Sequence, residues 1–350
     1  MPAEQILKNI LAQQTRKGEL YKSMPDDWVR CVACGHRCKI GPEKDGICHI
    51  RSNRNGELYV PWGYTAGIAL DPIEKKPFFH AYPGAKALSF GMLGCDYHCP
   101  YCQNWISSQT LRDPNAVAYP ELINEEEIVR AAVKHKATVV TSTYNEPLIT
   151  SEWAVAIFKL AKQAGLVTSY VSNGNGTPEV IDYLAPWLDL FKIDLKSFRQ
   201  REYSRLGGKL QDVLDTITTT HRKGFWVEVV TLVVPGFNDS NEELTDIAKF
   251  LASISPDIPW HVTAFHSEYR MNDTESTSPR DLLRAREIGL ASGLHYVYAG
   301  NRPGQVGATE NTFCPTCGTT LIERYGFRVA NNYLENGHCH KCATVIAGRW

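Results

Sequence analysis

Between residues 85 and 270 the chain alternates short apolar runs with amphipathic stretches, and that alternation limits the fold more than any other feature. The apolar runs fall at 87–93, 137–143, 167–171, 188–194, 225–234 and 260–265. Helix starts stand between them: Asn124 ahead of three glutamates, Ser151 ahead of Glu152, and the pairs Thr177-Pro178 and Ser278-Pro279. Acids in a first turn suit the positive end of the helix dipole, and a hydroxyl followed by proline is a cap with a preset φ. Strands apolar on both faces and separated by helices belong to a parallel sheet covered on both sides. The predicted class is α/β: a partial (β/α)6 TIM-type barrel, with His295-Tyr296-Val297-Tyr298 offering a seventh strand. Active sites of such barrels lie at the C-terminal ends of the strands.

The eleven cysteines fall into three groups. The first strand runs into Cys95-Asp-Tyr-His-Cys99-Pro-Tyr-Cys102, three thiols at C-x3-C-x2-C spacing. A [4Fe–4S] cube takes four thiolates, so three on one loop leave an iron open. Structural zinc is the other reading, with His98 or a distant residue completing the set, although its usual spacing is the C-x2-C pair. Cys31, Cys34, Cys38 and Cys48 form a compact knot near the N-terminus, with His36 and His49 as alternative ligands; Cys314, Cys317, Cys339 and Cys342 form a zinc-ribbon-like pair of C-x2-C knuckles near the C-terminus. Four thiolates make a closed, structural site, and zinc or an auxiliary iron–sulfur cluster can fill it. The odd total and close spacing argue against a disulfide framework.

The domains expected are 1–66, carrying the four-cysteine knot and a helix over Glu4–Thr15; 67–305, the barrel; and 306–350, the ribbon-like module. The run Asp71-Pro72-Ile73-Glu74-Lys75-Lys76-Pro77, with Gly67 to Leu70 before it, is read as a solvated loop over the barrel bottom or rim. A net charge of −1 gives no field that favours nucleic acid or anionic membrane. No apolar run approaches the roughly 20 residues of a membrane helix and no secretory signal is evident, so the cytoplasm is the expected compartment. The polar strand ends are Thr143-Tyr144-Asn145-Glu146-Pro147, Ser172-Asn173-Gly174-Asn175-Gly176, Asp194-Leu195-Lys196 and Phe265-His266. Each alone is an ordinary turn or surface charge; together they ring one face above a metal loop.

On these residues the chain resembles the radical S-adenosylmethionine (SAM) enzymes, whose defining motif is C-x3-C-x2-C after a first barrel strand. Residues 85–270 are similar to the pyruvate formate-lyase activating enzymes. Asp71–Pro77, Thr143–Pro147 and both flanking four-cysteine modules resemble more closely the radical SAM component of the AmmeMemoRadiSam system. The resemblance implies a [4Fe–4S] cluster on Cys95, Cys99 and Cys102, with SAM on the open iron. It places Glu146 and the backbone at Asn145 on the SAM amino group, and Ser172 and Asn173 near its ribose and carboxylate. Lys196, with Asp194 beside it, would meet that carboxylate, His266 the methionine end, and Tyr101 the adenine. Reductive cleavage would yield methionine and a 5′-deoxyadenosyl radical that abstracts hydrogen from a substrate, an oxidoreductase-like reaction run under anaerobic conditions. The implied partners are an electron donor such as a ferredoxin or flavodoxin, and Memo-like and AMMECR-like proteins. A glycyl-radical activating enzyme is the nearest alternative; a non-catalytic zinc-ribbon binding protein is the alternative of a different class.

Overall fold

The computed structural model describes residues 3–350. At its centre is one sheet of β1 (Gly67–Pro72), β2 (Lys86–Gly91), β3 (Val139–Ser142), β4 (Val167–Ser172), β5 (Leu190–Asp194), β6 (Trp226–Val233), β7 (Trp260–Ala264) and β8 (Val297–Gly300). The strands lie in the spatial order β8-β7-β6-β5-β4-β3-β2-β1. From β2 to β8 they run parallel. Among the described residues β1 and β8 do not pair with each other, so the barrel is partial. The seventh parallel strand is present and begins at Val297 rather than His295.

The stretch read as a solvated loop needs correction. Gly67–Pro72 is an edge strand antiparallel to β2, pairing from Gly67 with Gly91 to Pro72 with Lys86. Its residues alternate between half-buried and exposed. An antiparallel edge strand need bury only one face, and its apolar run, Ile68-Ala69-Leu70, is shorter than those of most of its parallel neighbours and ends in Asp71-Pro72. Proline is tolerated at such an edge, where one side of the ladder is open. Beyond Pro72 the chain does cover the barrel floor: Ile73, Phe78 and Ala81 pack with Ala87, Val139 and Leu190, which stand at or near strand starts.

The helix starts follow the sequence with one shift. Asn124 and Glu127 form a reciprocal capping box, both bonds 2.9 Å. Thr177 Oγ1 accepts from Val180 N at 3.1 Å and Ser278 Oγ from Asp281 N at 3.2 Å. Such caps are worth about 1 kcal/mol each. Ser151 is not a cap but the first residue of the helix Ser151–Gln163. A 3-10 turn, Pro147–Thr150, precedes it, and Glu146 caps that turn through Leu148 N. The cap therefore falls on a strand-end residue.

Two modules flank the barrel. Near the N-terminus, helix Ala3–Gln13 leads into two small three-stranded sheets. Arg51 from this region reaches Glu152 on the barrel with two 2.7 Å bonds, and both side chains are at most 2% exposed. Glu152 also accepts from Leu20 N at 3.2 Å. Near the C-terminus, Thr312–Phe313, Thr320–Tyr325 and Arg328–Asn332 form a sheet that docks on the barrel floor through Arg324. Its guanidinium donates to Phe79 O at 2.6 Å and Thr312 Oγ1 at 2.8 Å, and lies over the Phe79 ring.

Removing one member of a buried ion pair strands the other. Arg51→Met is expected to lower unfolding stability by about 3–5 kcal/mol, while Arg51→Met with Glu152→Leu restores most of it. Chemical denaturation of the two variants checks this; equal losses in both would mean that the charge itself is not what matters.

Candidate functional site

The loop after β2 puts Cys95, Cys99 and Cys102 on a cavity of about 420 Å³ inside the barrel. They are the only cysteines on its wall among the described residues. Cys95 Sγ accepts from Tyr97 N at 3.4 Å, and Cys102 Sγ lies 3.2 Å from Ser108 Oγ. Burial pushes the Cys99 thiol up to about 12, against the pull of the Lys196 ammonium. Binding a metal here therefore releases protons from the thiols.

The strand ends named from the sequence meet on the same cavity: Tyr101, Asn145, Glu146, Ser172, Asn173, Asp194 and Lys196 all line it. Glu146, 2% exposed, is the most heavily bonded of them. It accepts from Ser172 Oγ at 2.6 Å, Asn173 N at 2.7 Å and Leu148 N at 3.0 Å. Burial, and then the neighbouring Asp96, push its carboxyl up to about 8, so a cation placed beside it would draw out the charge. Lys196 donates to Asp194 at 3.0 Å, and its backbone is clamped by Tyr203 OH and Asn238. His266 stands apart. Its side chain is 57% exposed and it meets the cavity only through Gln103, 3.0 Å away.

Reading strand ends alone missed two side chains, Asp96 and Lys192, and the backbone strain at Tyr144, a residue it had named. Asp96, between two of the thiols, accepts 2.8 Å bonds from both Asn173 and Asn175, so it joins the cysteine loop to the end of β4. The two amides in Asn173-Gly-Asn175 were the available signal, since buried side-chain amides require partners. Lys192 lies two residues before Asp194 on the inward face of β5 and donates to it. Alternation along a strand foretells that geometry. Tyr144 holds a left-handed backbone, φ 71°. Its turn packs so closely on β2 that a Cβ at Gly91 would lie 2.4 Å from Thr143 O. The tyrosine thus keeps the tight turn without glycine, at the strain of a non-glycine residue in that region.

Cys314, Cys317, Cys339 and Cys342 are the one group among the described residues whose candidate ligand atoms all lie within 4.8 Å of one another. Cys314 and Cys342 Sγ are 3.6 Å apart, and Cys317 and Cys339 Sγ 3.7 Å. Those separations are the edges of a tetrahedron around a single ion with bonds of about 2.3 Å. The knot at Cys31, Cys34, Cys38 and Cys48 is not drawn to that spacing, although three of its thiols are buried. In a Cys95→Ser/Cys99→Ser/Cys102→Ser background, further changing Cys314 and Cys342 to serine is expected to remove one divalent ion per chain by elemental analysis. Loss of iron and sulfide together from the ribbon would overturn the single-ion assignment.

The radical SAM superfamily profile matches residues 91–251. An uncharacterized protein of Methanocaldococcus jannaschii is 36% identical over 335 residues, 95% of this chain and 98% of the relative. The pyruvate formate-lyase-activating enzyme of Staphylococcus epidermidis is 24% identical over 196 residues, 53% of this chain and 76% of that enzyme. Among solved structures, a radical SAM methyltransferase from Sphaerobacter thermophilus aligns over 68% of this chain and 71% of that one, with 15% identity and a TM-score of 0.49. No helix among the described residues is long and apolar enough to cross a membrane. The chain belongs to the radical SAM superfamily and is an enzyme.

Proposed function

We propose that Cys95, Cys99 and Cys102 hold a [4Fe–4S] cluster with one iron left open for SAM, and that the enzyme acts by hydrogen abstraction from a substrate in the barrel. The cluster and SAM together supply the chemistry: one electron yields methionine and a 5′-deoxyadenosyl radical. The observation supporting this reading is that three thiols, without a fourth, share one cavity with Glu146, Asn173 and Lys196. The chain's own part is orientation. Glu146, fixed by three donors, accepts from the SAM ammonium. Lys196 offers a compact positive charge to the SAM carboxylate. Tyr101, buried against Phe237, gives a flat wall for adenine. His266 acts from the rim through Gln103.

The AmmeMemoRadiSam assignment is supported by Asp71–Pro77, Thr143–Pro147 and the paired flanking cysteine modules. It carries with it Memo-like and AMMECR-like partners, a ferredoxin or flavodoxin as electron donor, and a cytoplasmic site of action. Zinc is the proposed ion of the C-terminal ribbon, because four thiolates at single-ion spacing suit it. A second reading, activation of a glycyl-radical enzyme, is favoured by the partial similarity to pyruvate formate-lyase-activating enzymes. A glycyl radical signal on a co-expressed partner protein would decide for it.

Anaerobically reconstituted protein with dithionite and SAM is expected to release 5′-deoxyadenosine, and Cys99→Ala to release none. Retained release in Cys99→Ala would overturn the proposal. Glu146→Gln removes the charge that answers the SAM ammonium. It is expected to weaken SAM binding about 10- to 100-fold, read by equilibrium dialysis with labelled SAM. Unchanged affinity would remove Glu146 from the amino-group role.

A further inference from the structure

Two triads, each an aspartate shared by two lysines, set lysines on the cavity wall. At the end of β5, Asp194 takes Lys192 and Lys196. On β1, Asp71 takes Lys75 at 2.9 Å and Lys76 at 2.8 Å. Each triad sums to one excess positive charge. The first belongs to the SAM-binding machinery already described. The second has no assignment there, yet Lys75 and Lys76 line the same cavity.

Lys76 is the inward member. Its side chain is 4% exposed, whereas that of Lys75 is 49% exposed. It leaves a 3-10 turn, Ile73–Lys75, at the end of β1, and the Tyr144 ring covers it with its centroid 4.7 Å from Nζ. Nζ donates to Asp71 and, at 3.0 Å, to Tyr144 OH. An ammonium has three hydrogens, so one is left beyond these two bonds. Burial lowers the ammonium below the usual lysine range despite Asp71, so a further negative charge would be welcome there. Of the acids on the same wall, Glu74 accepts from Gly84 N and lies 3.7 Å from Arg324 through Oε1 while its Oε2 has no hydrogen-bond partner, and Glu310 accepts from Gly326 N. Tyr144 also belongs to the turn that carries Glu146, so it connects this triad to the SAM side of the cavity.

We infer that Lys76, held by Asp71 and Tyr144, is the anchor for an oxyanion of the substrate, which is therefore a small organic acid or a phosphate ester. This deepens the proposed function and rests on reading the cavity as a substrate chamber. Calorimetric titration of SAM-loaded holoenzyme with inorganic phosphate, and separately with succinate, tests it. At least one anion is expected to bind, and Lys76→Gln to weaken that binding about tenfold or more, with Lys76→Arg restoring most of it. The arm that responds tells phosphate from carboxylate. If Lys76→Gln does not fold, as judged by iron content and thermal midpoint, Tyr144→Phe replaces it and is expected to shift the same affinity by several-fold. Absence of binding by both anions, or binding indifferent to these substitutions, overturns the inference. Deoxyadenosine release by the same wild-type preparation reports on the radical reading alone, so the two can fail separately.

Discussion

A buried carboxylate organises the floor of this barrel. Glu228, fully buried on β6, accepts from Phe79 N, His80 N and Trp226 Nε1, each at 2.9 Å, and lies 2.7 Å from His261 Nε2. An ion so far from water persists only when its oxygens are fully engaged. Two of those partners are backbone groups of the stretch that closes the strand starts. Satisfying Glu228 therefore draws that stretch under the sheet, and Phe79 then presents its carbonyl and ring to Arg324 of the ribbon. The same stretch delivers Lys76 to the interior. One charge fixes the floor, the docking of a second module and one wall of the cavity.

The site at the other end depends on a comparable economy. Glu146 ends a turn, caps the next and gathers Ser172 and Asn173 from the neighbouring strand. Because its acceptor capacity is largely used by the protein, its position is set before any ligand arrives. Preorganisation of this kind is what distinguishes a functional polar cluster from a chance meeting of strand ends.

Much of this was legible in the chain. The parallel strands announced themselves as apolar runs, because both faces of a covered sheet are dry. Asn124, Thr177 and Ser278 marked helix starts, since capping is local chemistry between residues three apart. The cysteine spacing pointed to the cavity for the same reason. What stayed hidden was whatever depends on distant partners. β1 could not be told from a loop, as its ladder with β2 joins residues 14 to 24 apart and its short apolar run, Ile68-Ala69-Leu70, ends in Asp71-Pro72. Asp96 and Lys76 gained meaning only from Asn173, Asn175 and Tyr144, which fold brings to them. Ser151 was misplaced as a cap because the side-chain cap lies five residues upstream, at Glu146, ahead of a 3-10 turn that precedes the helix.

The ribbon has a bearing on the cavity beyond its own fold. Glu310 and Phe327, on or beside its strands, stand on the cavity wall together with the cysteine loop. A small module of this type keeps its shape through its ion. Loss of an ion from Cys314, Cys317, Cys339 and Cys342 would therefore loosen part of the cavity wall along with the module itself.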